Sequence, residues 1–210
     1  MKKTIVFDLD DTLMKELDFL KSAFFEIANH IDANDPNLYY QMLEWYFDSH
    51  NVFVNLQELY PQTTVEELKY MYRNHFPNLS QYSYVKDFLT ALSQKGFVLG
   101  LVTDGYSVTQ RNKIKALGIE NLFNLIVISE EFGTEKPNEA NYTTFHKFGT
   151  NCCYVGDNLK KDFVSPNRLG WQTICVLDNG SNIHKQDFSL NKSFLPSIYI
   201  EDLKELVNYI

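Results

Sequence analysis

Cysteine is scarce in this chain, and what there is builds no framework. Three cysteines among 210 residues, with Cys152 and Cys153 adjacent in one apolar run and Cys175 in another, are an odd count with neither disulfide nor zinc-ligand spacing. They read as reduced core residues of a cytoplasmic protein. The five histidines, His30, His50, His75, His146 and His184, also lack metal-ligand spacing and read as ordinary side chains. No apolar segment approaches the length of a membrane span. Met1-Lys2-Lys3 imitates the start of a signal peptide, but the apolar run behind it breaks at Asp8, too early for a secretory core. Positive charge is short as well: 19 basic against 27 acidic residues leave a net charge of -8, the wrong sign for gripping nucleic acid or an anionic membrane. An anionic ligand needs local groups or a metal to offset that field. There is no internal repeat and no low-complexity tract, which excludes a repeat architecture.

What the chain has is apolar bulk, 44% of its residues, enough at this length for one large domain or a domain with a substantial insert. The stretch Thr4-Ile5-Val6-Phe7-Asp8-Leu9-Asp10-Asp11-Thr12-Leu13 reads as a buried strand that ends in three carboxylates. One acid would serve as a helix cap. Packed carboxylates repel one another and lose hydration, so three together persist only where a cation, a proton or hydrogen-bond donors compensate them.

From Met14 to about Pro77 the pattern is helical. Leu17, Leu20, Phe24, Ile27 and Ile31 repeat along one face, Leu38, Met42, Trp45 and Tyr46 mark a second helix, and Thr64-Val65-Glu66-Glu67 forms a capping box that opens another. Its many aromatic residues read mainly as bundle core. After Pro77 helices and strands alternate. A helix through Val85 and Leu92 stops at Gly96 before the run Phe97–Val102. A helix through Ile114 and Leu117 precedes Leu125–Ile128, and a helix around Tyr142 to Phe148 precedes Cys152–Val155. A short helix capped by Ser165 precedes Thr173–Val176, and Ser197–Ile200 leads into a helix through Leu203 and Leu206. This order predicts an α/β fold, a Rossmann-like parallel sheet covered on both faces, from residues 1–13 and 80–210, with an all-helical insert over 14–79 placed to cover a site at the strand ends.

The carboxyl ends of the predicted strands carry Asp8, Asp10 and Thr12; then Thr103, Asp104 and Gly105; then Gly156, Asp157 and Asp162; Lys136 and Pro137 lie in the loop after the third strand. One such end is weak evidence. Their concurrence in one topology points to a single site.

On these residues the chain resembles the haloacid dehalogenase superfamily, with Asp8-Leu9-Asp10-Asp11-Thr12 as the first dispersed motif, Thr103 as the second, Lys136 in Glu135-Lys136-Pro137-Asn138 as the third, and Gly156-Asp157 through Asp162 as the fourth. The insert between the first two motifs resembles the helical-cap phosphatase subgroup. The resemblance implies a phosphomonoesterase in which Asp8 is the nucleophile and Asp10 the acid and base, its pKa raised by neighbouring Asp8. It implies a Mg2+ ion on the side chains of Asp8 and Asp157, the carbonyl of Asp10 and, directly or through water, Asp162. Thr103, the amides of Asp104 and Gly105, and Lys136 would bind the phosphoryl oxygens. Thr12 reads as a loop-orienting residue and Asp11 as a solvated turn, while Arg111, Lys113, Lys160 and Lys161 read as exposed helix faces.

Carbon-halogen cleavage needs neither an acid for a departing halide nor magnesium, so Asp10 argues for phosphorus. A sugar phosphomutase, using the same two aspartates, and a non-catalytic phospho-accepting or binding protein are the alternatives. The substrate is expected to be a small phosphorylated metabolite. The aromatic insert favours a nucleoside monophosphate, with sugar phosphates and phosphoglycolate as competitors, and oligomeric state is open.

Overall fold

The apolar runs fold as strands whose two faces serve two different cores. In a computed structural model describing residues 3–210, β1 (Thr4–Phe7), β2 (Val98–Thr103), β3 (Leu125–Ile128), β4 (Cys152–Gly156), β5 (Gln172–Val176) and β6 (Ile198–Ile200) form one sheet in the order β3-β2-β1-β4-β5-β6. Every pairing is parallel. Because side chains alternate along a strand, Ile5 and Phe7 join Leu99, Leu101, Cys153 and Val155 in one cluster, while Val6 joins Val102, Tyr154 and Cys175 on the opposite face. Gly100 lies on that second face, where a side chain would collide with the ring of Phe145. All three cysteines are buried and free.

The helices are α1 (Glu16–Asp32), α2 (Leu38–Phe47), α3 (Val52–Leu59), α4 (Val65–Asn74), α5 (Ser83–Gln94), α6 (Ser107–Ala116), α7 (Ser129–Phe132), α8 (Ala140–Thr143) and α9 (Val164–Arg168). The first four lie between β1 and α5 and bury their own cluster, in which Leu20, Phe24 and Ile27 of α1 meet Leu38, Met42, Val52, Leu56 and Leu68. The capping box at α4 is formed, Thr64 and Glu67 each bonding the other's backbone amide. The sequence did not resolve α3, whose only buried apolar positions are Val52 and Leu56, one turn apart. His75, read as ordinary, is buried just after α4. Its Nε2 meets Ser22 Oγ at 2.7 Å and its Nδ1 meets Glu26, so the last helix of the segment is tied to the first.

Three expected helices are shorter or wound differently. Tyr142 to Phe148 divides into α8 and a 3-10 turn over Thr144–Phe148, and the C-terminal helix is a 3-10 turn over Leu203–Asn208. Such winding seats the apolar residues of a short connection against the sheet in few residues. α9 begins at Val164, with Phe163 rather than Ser165 at its cap position. Ser165 is occupied elsewhere: buried, it donates its hydroxyl to the Pro137 carbonyl.

The strand order sets where chemistry can occur. Strands β2 and β4 flank β1, and chain connections run away from β1 in both directions, which opens a crevice at the carboxyl ends of those strands. Phospho-accepting receiver domains place β1 beside β3 instead, so this topology is not theirs. Among the described residues no helix is long and apolar enough to cross a membrane.

The separate cluster of the helical segment gives a test. Phe24 is 3% exposed at its centre, so Phe24→Ala should cost about 3–5 kcal/mol, measured as a shift of the urea unfolding midpoint of that segment.

Candidate active site

Register brings the acids together. Phe7 pairs with Leu101 and Val155, so the residues that follow, Asp8, Thr103 and Asp157, emerge at one end of the sheet. They line a polar cleft of about 140 Å³ together with Asp10, Asp11, Glu16, Asp104, Lys136, Asn158, Lys161 and His184. Six of these side chains are acidic and two are lysines. Asp162 sits directly behind, fully buried. Among the described residues, Asp8, Asp157 and Asp162 each offer a carboxylate oxygen within 4.8 Å of the others'.

Lys136 is the central counter-charge. Its Nζ donates to Asp8 Oδ1 and to Asp162 Oδ1, both at 2.7 Å, and the side chain is 4% exposed. Burial works against its charge, yet the carboxylates of Asp162 and Asp8 outweigh it and hold the ammonium well above the ordinary lysine range. Its backbone amide donates to Asp104 Oδ1 at 3.0 Å, and Lys161 Nζ donates to Asp104 Oδ2 at 2.9 Å. Asp104 therefore braces two lysines, and Lys161, expected on an exposed face, reaches into the cleft.

Asp162 holds the fourth motif in shape. One oxygen accepts from Lys136 and from the Tyr154 hydroxyl at 3.2 Å, the other from the amides of Asp157 at 3.0 Å and Asn158 at 2.8 Å. Four donors occupy a carboxylate's usual acceptor sites. Gly156 is required for this approach, since a side chain there would strike the Asp162 carboxylate. Burial pushes the Asp157 carboxyl up to about 9, with Asp162 and Asp8 adding to the rise. Asp8 is raised for the same first reason, against the pull of Lys136.

Asp10 departs from expectation in its surroundings. Its carboxylate pairs with Lys113 Nζ at 2.7 Å and accepts from Gln110 Nε2 at 2.8 Å. Lys113 is therefore buried in the site rather than exposed on a helix face. Asp8, for its part, is repelled by Asp162 and, less, by Asp10. Gln110 also donates to Thr103 Oγ1 at 2.5 Å, orienting that buried hydroxyl. The Gly105 amide donates to Ser129 Oγ at 2.9 Å and is committed within the protein.

Asp11 is not a solvated turn. It is 3% exposed, has φ 57, and its carboxylate accepts from the amides of Glu16 at 3.1 Å and Ile183 at 2.9 Å. Thr12 Oγ1 lies 3.4 Å from Asp157 Oδ1. Sequence reasoning also missed Glu16, which lines the cleft and is pushed up to about 7 by burial and by Asp10. No periodic signal marks Glu16, Gln110 or Lys113, because their roles come from contacts across the fold.

Strand-end carboxylates around a buried lysine, with a helical insertion after β1, define an α/β enzyme site. The chain belongs to the haloacid dehalogenase-like hydrolase family, whose signature it matches over residues 5–176. It is 31% identical to a glyceraldehyde 3-phosphate phosphatase of Methanopyrus kandleri, over 84% of each chain. It is 29% identical to the pyrophosphatase PpaX of Bacillus pumilus, over 90% of this chain and 92% of that one. Identity to a phosphoglycolate phosphatase of Haemophilus influenzae is 28%, over 80% of this chain and 82% of that one. The fold is also that of the HAD-hydrolase YfnB of Bacillus subtilis, solved bound to magnesium, with a TM-score of 0.67 at 20% identity over 99% of this chain and 97% of that one. The protein is thus a hydrolase whose curated relatives are phosphatases.

The raised carboxyls predict how stability depends on pH. Asp157 rises from an ordinary 3.8 to about 9 and Glu16 from 4.5 to about 7. A carboxyl whose pKa is higher in the folded state favours folding below its unfolded value, and that contribution is lost as pH climbs through the folded value. Chelator-treated protein should therefore lose thermal stability steadily from about pH 4 to about pH 9. Melting temperature followed across that range checks the slope.

Proposed function

We propose that the protein is a magnesium-dependent phosphomonoester hydrolase acting through an aspartyl-phosphate on Asp8, with residues 14–79 as a helical cap over the site. The observation that carries this reading is the state of Asp8. Its Oδ1 is held by Lys136, whereas Oδ2 takes no protein hydrogen bond among the described residues, and the residue lines the acidic cleft. Oδ2 is thus the oxygen free to attack phosphorus. Lys136 keeps the nucleophile oriented and supplies positive charge beside the transferring oxygens, with Thr103 and Lys161 on the same cleft wall.

Six acids against two lysines on that wall favour a hard cation, and an all-oxygen donor set suits magnesium, which uses few carboxylates and keeps waters. The side chains of Asp8 and Asp157 and the carbonyl of Asp10 would hold the ion, with Asp162 supporting the set through Lys136 and the Asp157 amide. When bound, magnesium offsets the repulsion between the attacking carboxylate and the phosphate. Asp10 protonates the leaving oxygen and later accepts a proton from the water that hydrolyses the aspartyl-phosphate. For that transfer its side chain must exchange Lys113 and Gln110 for the substrate.

The leaving group has a second cleft available, about 340 Å³, between α4 and α6, lined in part by Phe53, Lys69, Tyr72, Arg73 and Tyr106 and sharing Asp10, Glu16 and Asp104 with the first. Many cap aromatics, among them Phe24, Phe25, Tyr39 and Tyr46, pack against one another, and the Tyr106 ring is covered by the Arg73 guanidinium at 3.9 Å. That weakens the case for a stacked nucleobase. Lys69 and Arg73 have no acidic partner among the described residues. Two such cations over an acidic site favour a small phosphorylated substrate with a second anionic group, as in the ester phosphoglycolate and the anhydride pyrophosphate, each named for a relative.

Asp8→Asn should lower magnesium-dependent hydrolysis of an aryl phosphate at least about 1,000-fold; survival of the activity rules out Asp8 as nucleophile. In a panel of phosphoglycolate, pyrophosphate, glyceraldehyde 3-phosphate and a nucleoside monophosphate, the first two should have the highest kcat/KM. Arg73→Met should raise KM about tenfold for those two and leave glyceraldehyde 3-phosphate nearly unchanged. A uniform change across the panel would remove Arg73 as the specificity element.

A further inference from the structure

The loop that follows β5 carries no recognised motif, yet it reaches the centre of the site. Asp178 Oδ1 accepts from the amides of Gly180 at 2.8 Å and of Ser181 and Asn182 at 3.0 Å, which winds the segment into a tight turn. The next amide, of Ile183, is anchored on Asp11 at 2.9 Å. Gln186 Nε2 donates to the Asp157 carbonyl at 3.0 Å and to the Val176 carbonyl at 2.8 Å. Held at both ends in this way, Asn182 points its amide nitrogen at Asp157 Oδ2, 3.0 Å away.

The other end of the same amide fixes its direction. Lys15 Nζ contacts Asn182 Oδ1, and an ammonium has donors only, so the atom facing it must be the carbonyl oxygen. The NH2 group is therefore the one turned toward Asp157, whose Oδ2 it engages, leaving Oδ1, among the described residues, with only the Thr12 hydroxyl 3.4 Å away. Side chains that orient a metal-binding carboxylate act in this manner.

We propose that Asn182 is a positioning residue for the cation site: clamped by Lys15, it holds the Asp157 carboxylate in the orientation that presents Oδ1 to the ion. The inference rests on the reading of Asp157 as a magnesium ligand. It adds the β5 loop to the site as an element that the four dispersed motifs do not include.

Magnesium titration of the purified full chain by isothermal calorimetry tests it, with melting temperature in chelator as the control for folding. Asn182→Ala should weaken magnesium binding about tenfold or more, with kcat largely restored at saturating magnesium. Asn182→Asp keeps an acceptor for Lys15 but offers no donor to Asp157, so it should weaken binding at least as much. Lys15→Met should weaken binding in the same direction but less, and it carries the test if the Asn182 variants do not fold. Wild-type affinity in Asn182→Ala overturns the proposal. So does wild-type affinity in Asn182→Asp, which would mean that only the anchor on Lys15 matters. If the unaltered protein binds no magnesium, the cation reading fails first and this inference with it.

Discussion

One ammonium group holds this site together. Lys136 is placed in the interior between Asp8 and Asp162, 2.7 Å from each, where an unpaired charge of either sign would be unsupportable. A buried ion pair is weak evidence for stability, because desolvation offsets attraction, but removing one partner leaves the other stranded at a cost of about 3–5 kcal/mol. Here one cation serves two anions on different elements. The loop after β3, the end of β1 and the turn after β4 are therefore bound to one another through a single atom. Around it the remaining acceptors are filled by backbone amides and by Tyr154. The arrangement still leaves more acidic than basic side chains on the cleft wall.

The frame of this site was legible because it follows from periodicity. Parallel strands buried on both faces are continuous apolar runs, and the residue just after each run is a strand end by construction. Asp8, Thr103 and Asp157 could be found that way. Residues that act through distant contacts could not. Asp11 looked idle because its partner Ile183 lies 172 positions away, and Lys113 looked exposed because the helix around it is mostly polar. That helix buries Ile114 in the core but is polar where it meets the site, since Gln110 and Lys113 face Asp10. Helical periodicity assumes that the buried side is apolar, and beside an active site the assumption fails.

The short elements after β3 and β4 failed to read for a different reason. Apolar residues at helical spacing near Tyr142, Phe145 and Phe148 predict a continuous helix, whereas the chain changes from α to 3-10 winding among them. Spacing of three and spacing of four are nearly equivalent over one or two turns, so pattern alone does not separate them. These turns bury Tyr142 and Phe145 in the cluster on one face of the sheet, and the Tyr142 hydroxyl, donating to the Asp162 carbonyl at 3.5 Å, links them to the site.

The helical segment can be accommodated within the α/β core because its two connections are neighbours. The Lys15 amide donates to the Tyr82 hydroxyl at 3.0 Å, and that hydroxyl donates to Asp18 at 2.6 Å. The chain thus leaves and rejoins the core at a hydrogen-bonded junction that does not disturb the sheet. The same residue that anchors the outgoing connection by its amide reaches with its ammonium to Asn182, and Asp11, four positions earlier, holds the neighbouring Ile183 amide. The first motif therefore has two kinds of acid. All three line the cleft, but Asp8 and Asp10 pair with lysines, whereas Asp11 accepts from the Ile183 amide of the loop after β5 and from the Glu16 amide, fixing the backbone on which the connection to α1 depends. The third carboxylate of the cluster is compensated by amides rather than by a cation, which is why three acids can stand together at the end of one buried strand.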